Sequence, residues 1–128
     1  MNLDDFTRGY WKYMGNPMPM NDQNDILKKS IEFNGMDTER VIIMEELSEL
    51  IQEVSKHYRN KGNIMHLLEE MADVYICLEE LKLMTGIDNY DIEAAMSVKY
   101  ERIKNDIESK ENKKTGLDIH ESSGLLED

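Results

Sequence analysis

Apolar residues recur at helical spacing through most of this chain, and the segments they define predict four helices and no strand. From Asp22, the residues Ile26, Leu27, Ile31 and Phe33 fall on one side of a short helix. The Asn34-Gly35 pair ends it, because both residues tolerate left-handed backbone. A longer helix follows, capped by Asp37 or Thr38 and running to about Arg59. Its Ile43, Leu47, Leu50, Ile51, Val54 and Tyr58 share a stripe expected to form core. Asn60-Lys61-Gly62-Asn63 is a turn signal, and so short a link makes the flanking helices antiparallel neighbours. Asn63 caps the next helix, lined by Leu67, Met71, Val74, Leu78 and Leu81 and stopped at Thr85-Gly86. The last helix spans about 89–110 and uses Ile92, Ala95, Met96, Ile103 and Ile107.

Two stretches lie outside this pattern. Residues 1–21 carry both prolines, in Gly15-Asn16-Pro17-Met18-Pro19, and read as a lead-in segment. Its cluster Phe6, Tyr10, Trp11 and Tyr13 suits one short docked helix. Beyond Lys110 the apolar period vanishes, and 111–128 reads as a disordered acidic tail. The expected architecture is all-α: one domain over 22–110, a helical bundle around a central antiparallel hairpin. So modest a core leaves apolar surface for burial by self-association.

Composition narrows the partners. With 15 basic against 27 acidic residues the net charge is −12 and the pI near 4.6, so nucleic acid and anionic membranes are repelled. A polyphosphate is the exception, because divalent cations between carboxylates and phosphates reverse the local field. Cys77 has no second cysteine to pair with and sits in an apolar helical pattern, which gives it a structural reading. No signal-peptide pattern opens the chain and no apolar run approaches about 18 residues, so a cytoplasmic protein is expected.

The acids themselves are patterned. At about 100° per residue, with Ile42 at zero, Glu46 falls near 40°, Glu49 near 340° and Glu53 near 20°, beside the apolar stripe at about 80–140°. With His66 at zero, Glu70 falls near 40° and Asp73 near 340°, flanked by Cys77 and Leu81. Read across the turn, Glu49 stands level with about Val74, which brings the Glu46/Glu49 and Glu70/Asp73 pairs within roughly one helical turn, about 5 Å. Facing carboxylates repel and lose hydration, so a positive charge is needed between them. Hard divalent cations take such oxygens. The bland alternative, E-x-x-E and E-x-x-D as solvated surface in an acid-rich chain, stays open on spacing alone.

Glu45-Glu46-Leu47-Ser48-Glu49-Leu50, followed by Glu70-Met71-Ala72-Asp73-Val74, resembles the EExxE…ExxD signature of the MazG-like, all-α NTP pyrophosphohydrolases. Ile51-Gln52-Glu53-Val54-Ser55-Lys56 and Ile76-Cys77-Leu78-Glu79 extend the likeness, which covers about residues 24–107. It implies a MazG-like bundle, a nucleoside triphosphate substrate cut between the α and β phosphates, and Mg²⁺, with Mn²⁺ as a substitute, on Glu46, Glu49, Glu70 and Asp73. It further implies that Glu45 positions a water, that Lys99 and Arg102 hold phosphates, and that subunits assemble as a homodimer or homotetramer. With Ile92 at zero, Lys99 lies near 340° on the inward face, where its stem can run.

His66 shares the sector of Glu70 and Asp73 but reads as a capping or partly exposed residue. Lys56, Arg59 and Lys61 have a second explanation in the helix C-terminus they occupy. Tyr10, Trp11 and Phe33 are candidates to stack on a base, and the ten methionines read as core filler. Three rival functions remain: a phosphoribosyl-ATP pyrophosphohydrolase, a non-catalytic helical interaction module, and a ferritin-like di-iron protein. The last wants Glu-x-x-His pairs that the chain lacks at these acids.

Overall fold

A computed structural model describes residues 1–123, with side chains through residue 115. The described residues form five helices, α1 (Leu3–Tyr13), α2 (Met20–Asn34), α3 (Met36–Tyr58), α4 (Ile64–Thr85) and α5 (Asn89–Ser123), and no strand. The fold is all-α. Two compact units divide the chain, Met1–Gly86 and a second beginning at Ile87. None of the helices among the described residues is long and apolar enough to cross a membrane.

Helix boundaries follow local chemistry. The Asn63 side chain accepts from the backbone N–H of Met65 at 2.8 Å and His66 at 3.4 Å, which fixes the start of α4. Gly86, at φ 77°, ends it and returns its N–H to the Lys82 carbonyl at 2.9 Å. Asp88 and Asp91 cap α5 reciprocally, each carboxylate accepting from the other's backbone N–H at 3.0 Å.

Three boundaries differ from expectation. Helix α2 begins at Met20, directly after Pro19, whose fixed φ suits a helix entry. The cap of α3 is neither Asp37 nor Thr38: Gly35 alone joins α2 to α3, at φ 82° and ψ 157°, a conformation open essentially to glycine only. Helix α5 does not stop near Lys110 but continues to Ser123. An apolar period reports burial, whereas the Lys and Glu residues after Ile107 are good helix formers, with Lys104 and Glu108 4.0 Å apart on one face. Of the tail expected over 111–128, residues 124–128 lie outside the described residues.

Within the first unit α3 and α4 pack along their length, α2 touches both, and α1 lies on α4. The connecting turn is tight. Asn60 takes φ 57°, and Gly62 lies so close under the His57 ring that any Cβ there would collide with it.

The seam between α3 and α4 overturns the expected division of faces. Glu39 pairs with Glu80, Glu46 with Asp73 and Glu49 with Glu70, stepping seven and then three residues along α3 and back along α4. Glu49 therefore meets Glu70, one helical turn away from the Val74 expected opposite it. The same step brings Ile42 level with Cys77 and Glu53 level with His66. Acids occupy four of these five layers, and the most buried side chains include Glu39, Glu53 and Glu80 beside Ile43 and Cys77.

The stripe expected to form core on α3 is largely exposed: Leu47, Ile51, Val54 and Tyr58 face solvent, and Leu50 is half-buried. On α4, Met71 and Leu78 are exposed in the same way. All of these lie in the same rotational sense from the seam, by about 80–160°. Antiparallel helices are related by a half-turn about the normal to their common plane, so equal rotations lead to one face of the hairpin. Together they leave an exposed apolar stretch along both helices of the hairpin, interrupted at the buried Ile43.

Candidate metal centre

Glu46 and Glu49 on α3 and Glu70 and Asp73 on α4 bring one carboxylate oxygen each to within 4.8 Å of one another. Three of the four side chains are half-buried and Glu49 is exposed, so the cluster opens on one side to water. These are the four acids that the sequence singles out.

Their electrostatics are those of unrelieved anions. Loss of hydration, then the hydrogen bond to Asp73, then the charges of Asp73, Glu49 and Glu70 push Glu46 up to about 7. Glu70 rises to about 7 as well, chiefly through burial and then the charges of Glu49 and Asp73. Burial also raises Asp73, against the hydrogen bond from Glu46. Glu46 Oε2 and Glu70 Oε2 are buried with no hydrogen-bond partner. An orphaned buried acceptor costs about 1–3 kcal/mol, more when charged.

A divalent cation fits the donor set, which is entirely carboxylate oxygen and therefore hard. Oxygens on opposite sides of one Mg²⁺ are about 4.0–4.2 Å apart, so the observed spread would contract by roughly 0.6 Å, within side-chain freedom.

The other candidates are placed less centrally. Glu45 is exposed on the flank of α3 and is not one of the four grouped acids. Lys99 and Arg102 lie on α5, in the second unit, and are exposed. His66 is half-buried, receives the Asn63 cap on its backbone N–H and lies 3.9 Å from Glu69; it is not grouped with the four acids. Cys77 is buried, with burial first and Glu80 next pushing its thiol up to about 11, a structural cysteine without reactive character.

Base stacking by the lead-in aromatics meets an obstacle. Phe6, Tyr10 and Tyr13 line a groove of about 530 Å³ against Leu68 and Ala72 of α4. Leu68 and Ala72 stand about 160° around α4 from Glu70, so a full helix separates this groove from the acids. Trp11 and Phe33 are exposed.

The three-residue spacing of the acids does not single out Glu39 or Glu80, and it places Glu53 in the acid stripe without a partner across the hairpin. Glu53 is buried, accepts from Lys56 Nζ at 3.1 Å through one oxygen and keeps the other unpartnered. The signal was present as heptad spacing: Glu39, Glu46 and Glu53 on α3, and His66, Asp73 and Glu80 on α4, each seven apart.

Comparison with protein-family models, curated proteins and solved structures gives no match.

Proposed function

We propose that this chain is a MazG-like, Mg²⁺-dependent pyrophosphohydrolase that cuts nucleoside triphosphates, ribo or deoxy, between the α and β phosphates. The observation that carries the proposal is the group of four facing carboxylates with two buried oxygens left unpartnered. An assembly of this kind holds divalent cations, and cations on an otherwise acidic protein are what a polyphosphate can bind. The choice of bond comes from the EExxE…ExxD resemblance, since carboxylates alone support attack at either the α or the γ phosphorus.

On this reading Glu46, Glu49, Glu70 and Asp73 bind as ionised carboxylates, so Glu46 and Glu70 give up the protons that burial favours on them. A Mg²⁺ ion, or Mn²⁺ in its place, held by these four carboxylates would supply positive charge to the triphosphate and lower the pKa of a bound water. Glu45, exposed beside Glu46, orients the attacking water. Glu49, the exposed member of the four, marks the side from which the substrate would enter. The exposure of the apolar residues Leu47, Ile51, Val54, Tyr58, Met71 and Leu78 supports a homo-oligomer.

The deciding experiment incubates a panel of NTPs, dNTPs and phosphoribosyl-ATP with Mg²⁺ in ¹⁸O-labelled water. Monophosphate carrying the label, together with pyrophosphate from the first turnover, is expected. Diphosphate and orthophosphate would overturn the proposed bond, exclusive turnover of phosphoribosyl-ATP would move the substrate, and no turnover at all would favour a non-catalytic helical module.

A further inference from the structure

Glu39 is the most deeply buried charged side chain described, 1% exposed, and it stands where three helices meet. From α2, Ser30 Oγ and Asn34 Nδ2 donate to Glu39 Oε1 at 2.9 and 2.8 Å. From α4, the carboxyl of Glu80, itself 6% exposed, shares a hydrogen bond with it. Two carboxylates have no proton to give each other, so that bond exists only while one of the pair is protonated.

We propose that Glu39 and Glu80 share a single proton and that this proton latches α2 onto the α3–α4 hairpin, so that alkaline conditions, by removing it, loosen α2.

The residues around the pair assign the proton to Glu80. Glu39 has two neutral donors from α2, and its ionised form is held below the usual carboxylate range, first by the Glu80 hydrogen bond and then, against burial, by Asn34 and Ser30. Glu80 is pushed up to about 7, first by burial and then by the hydrogen bond and charge of Glu39 and by Glu46. Every charge acting on the pair is negative. Helix α3 presents Glu39 and Glu46, α4 presents Glu80 and a neutral Cys77 thiol, and α2 presents only the hydroxyl of Ser30 and the amide of Asn34. Among the described residues no cation contributes to the shift of either carboxyl, and once the proton leaves two buried anions face each other beneath α2.

The sign follows from linkage. The folded value of Glu80 exceeds its unfolded one, so its stabilisation is complete below about 4.5 and is lost as pH rises through about 7. Glu39 has the opposite, acid-side dependence. Because Glu46 and Glu70 titrate in the same alkaline window, the discriminating variant is Glu80→Gln, whose amide donates to Glu39 at every pH.

The test is hydrogen exchange of peptides within 20–34 in the full-length protein, at about pH 6 and about pH 8 and corrected for intrinsic rates. Wild type should lose protection of α2 severalfold on going to the higher pH, and Glu80→Gln should not. Glu80→Gln should also melt higher than wild type at the upper pH and about equally at the lower. The same pH response in both proteins would overturn the latch, as would loss of α2 protection in the variant at both pH values. Should the variant fail to fold, a ¹³C carboxyl titration of wild type decides. A Glu80 midpoint near 7 supports the shared proton, and ordinary midpoints near 4.5 for both residues refute it.

Discussion

At the Glu39–Glu80 layer the hazards of burying two carboxyls are met from within the chain, by a serine, an asparagine and one retained proton. Seven residues along α3, Glu46 faces Asp73 with the same residue chemistry, yet Glu46 Oε2, like Glu70 Oε2 one layer further on, has no partner. The difference is one of supply. Helix α2 reaches the first layer and provides neutral donors, whereas the second opens toward solvent through Glu49. Acids at identical heptad spacing on one seam can therefore be a finished structural contact or an unfinished one, and only the neighbours separate the two.

The largest effect that would break this contrast comes from the unfinished layers. Glu49→Gln or Asp73→Asn should lower Mg²⁺-dependent turnover by about a hundredfold or more, because each removes a charge that the cation site needs. Circular dichroism should show the helices intact. Glu80→Gln, with the same chemical change at the finished layer, should leave turnover within about tenfold. Equal losses from both substitutions would erase the distinction.

Cation binding should come next in size. Mg²⁺ at about a hundredfold excess over its Kd should raise Tm by about 10 °C, and EDTA should reverse it. Glu80→Gln should retain the shift and Glu49→Gln should lose it. The shift should grow with pH. Glu46 and Glu70, raised to about 7, hold protons that compete with the cation below that value. For the same reason the chelated protein should lose stability as pH climbs from about 4.5 through about 7, since both folded values exceed the unfolded one. Scanning calorimetry across that range, with and without Mg²⁺, measures all three dependences.

The smallest effect belongs to Cys77, which shares a layer with Ile42 between the two regions. Cys77→Ala should cost about 1 kcal/mol of stability in a denaturant titration and leave both Mg²⁺ turnover and the pH response unchanged. The native thiol, pushed up to about 11, should resist alkylation at neutral pH.

Much of the chain's local structure is legible in the sequence because it is set by neighbours a few residues away. Asn63 as a cap, Gly86 as a stop and the turn at Asn60–Gly62 stand where their side chains predict. The four clustered acids are legible for a similar reason, since three-residue spacing places each pair on one side of its helix. What the sequence does not disclose is how the hairpin is covered. The stripe of Leu47, Ile51, Val54 and Tyr58 identifies a surface that avoids water but not what it meets, and in this chain it faces outward. The pairing of Glu49 with Glu70 was missed by one turn, because a shift of four residues preserves every apolar stripe and only the turn geometry resolves it. Glu39 and Glu80 were unreadable because their partners, Ser30 and Asn34, come from a helix whose docking is a tertiary fact.

The single-residue joint at Gly35 makes α2 a lever with its fulcrum at one peptide. A 15-residue helix is about 22 Å long, so a rotation of about 10° at that joint displaces Met20 by roughly 4 Å while Asn34 scarcely moves. Ser30 sits about 7 Å from the fulcrum, so about 1 Å of slack there becomes roughly 3 Å at the far end. With its hydrogen bonds to Glu39 so near this pivot, α2 depends on its packing against α4 to hold the far end at Met20, and only glycine at position 35 leaves the joint unstrained.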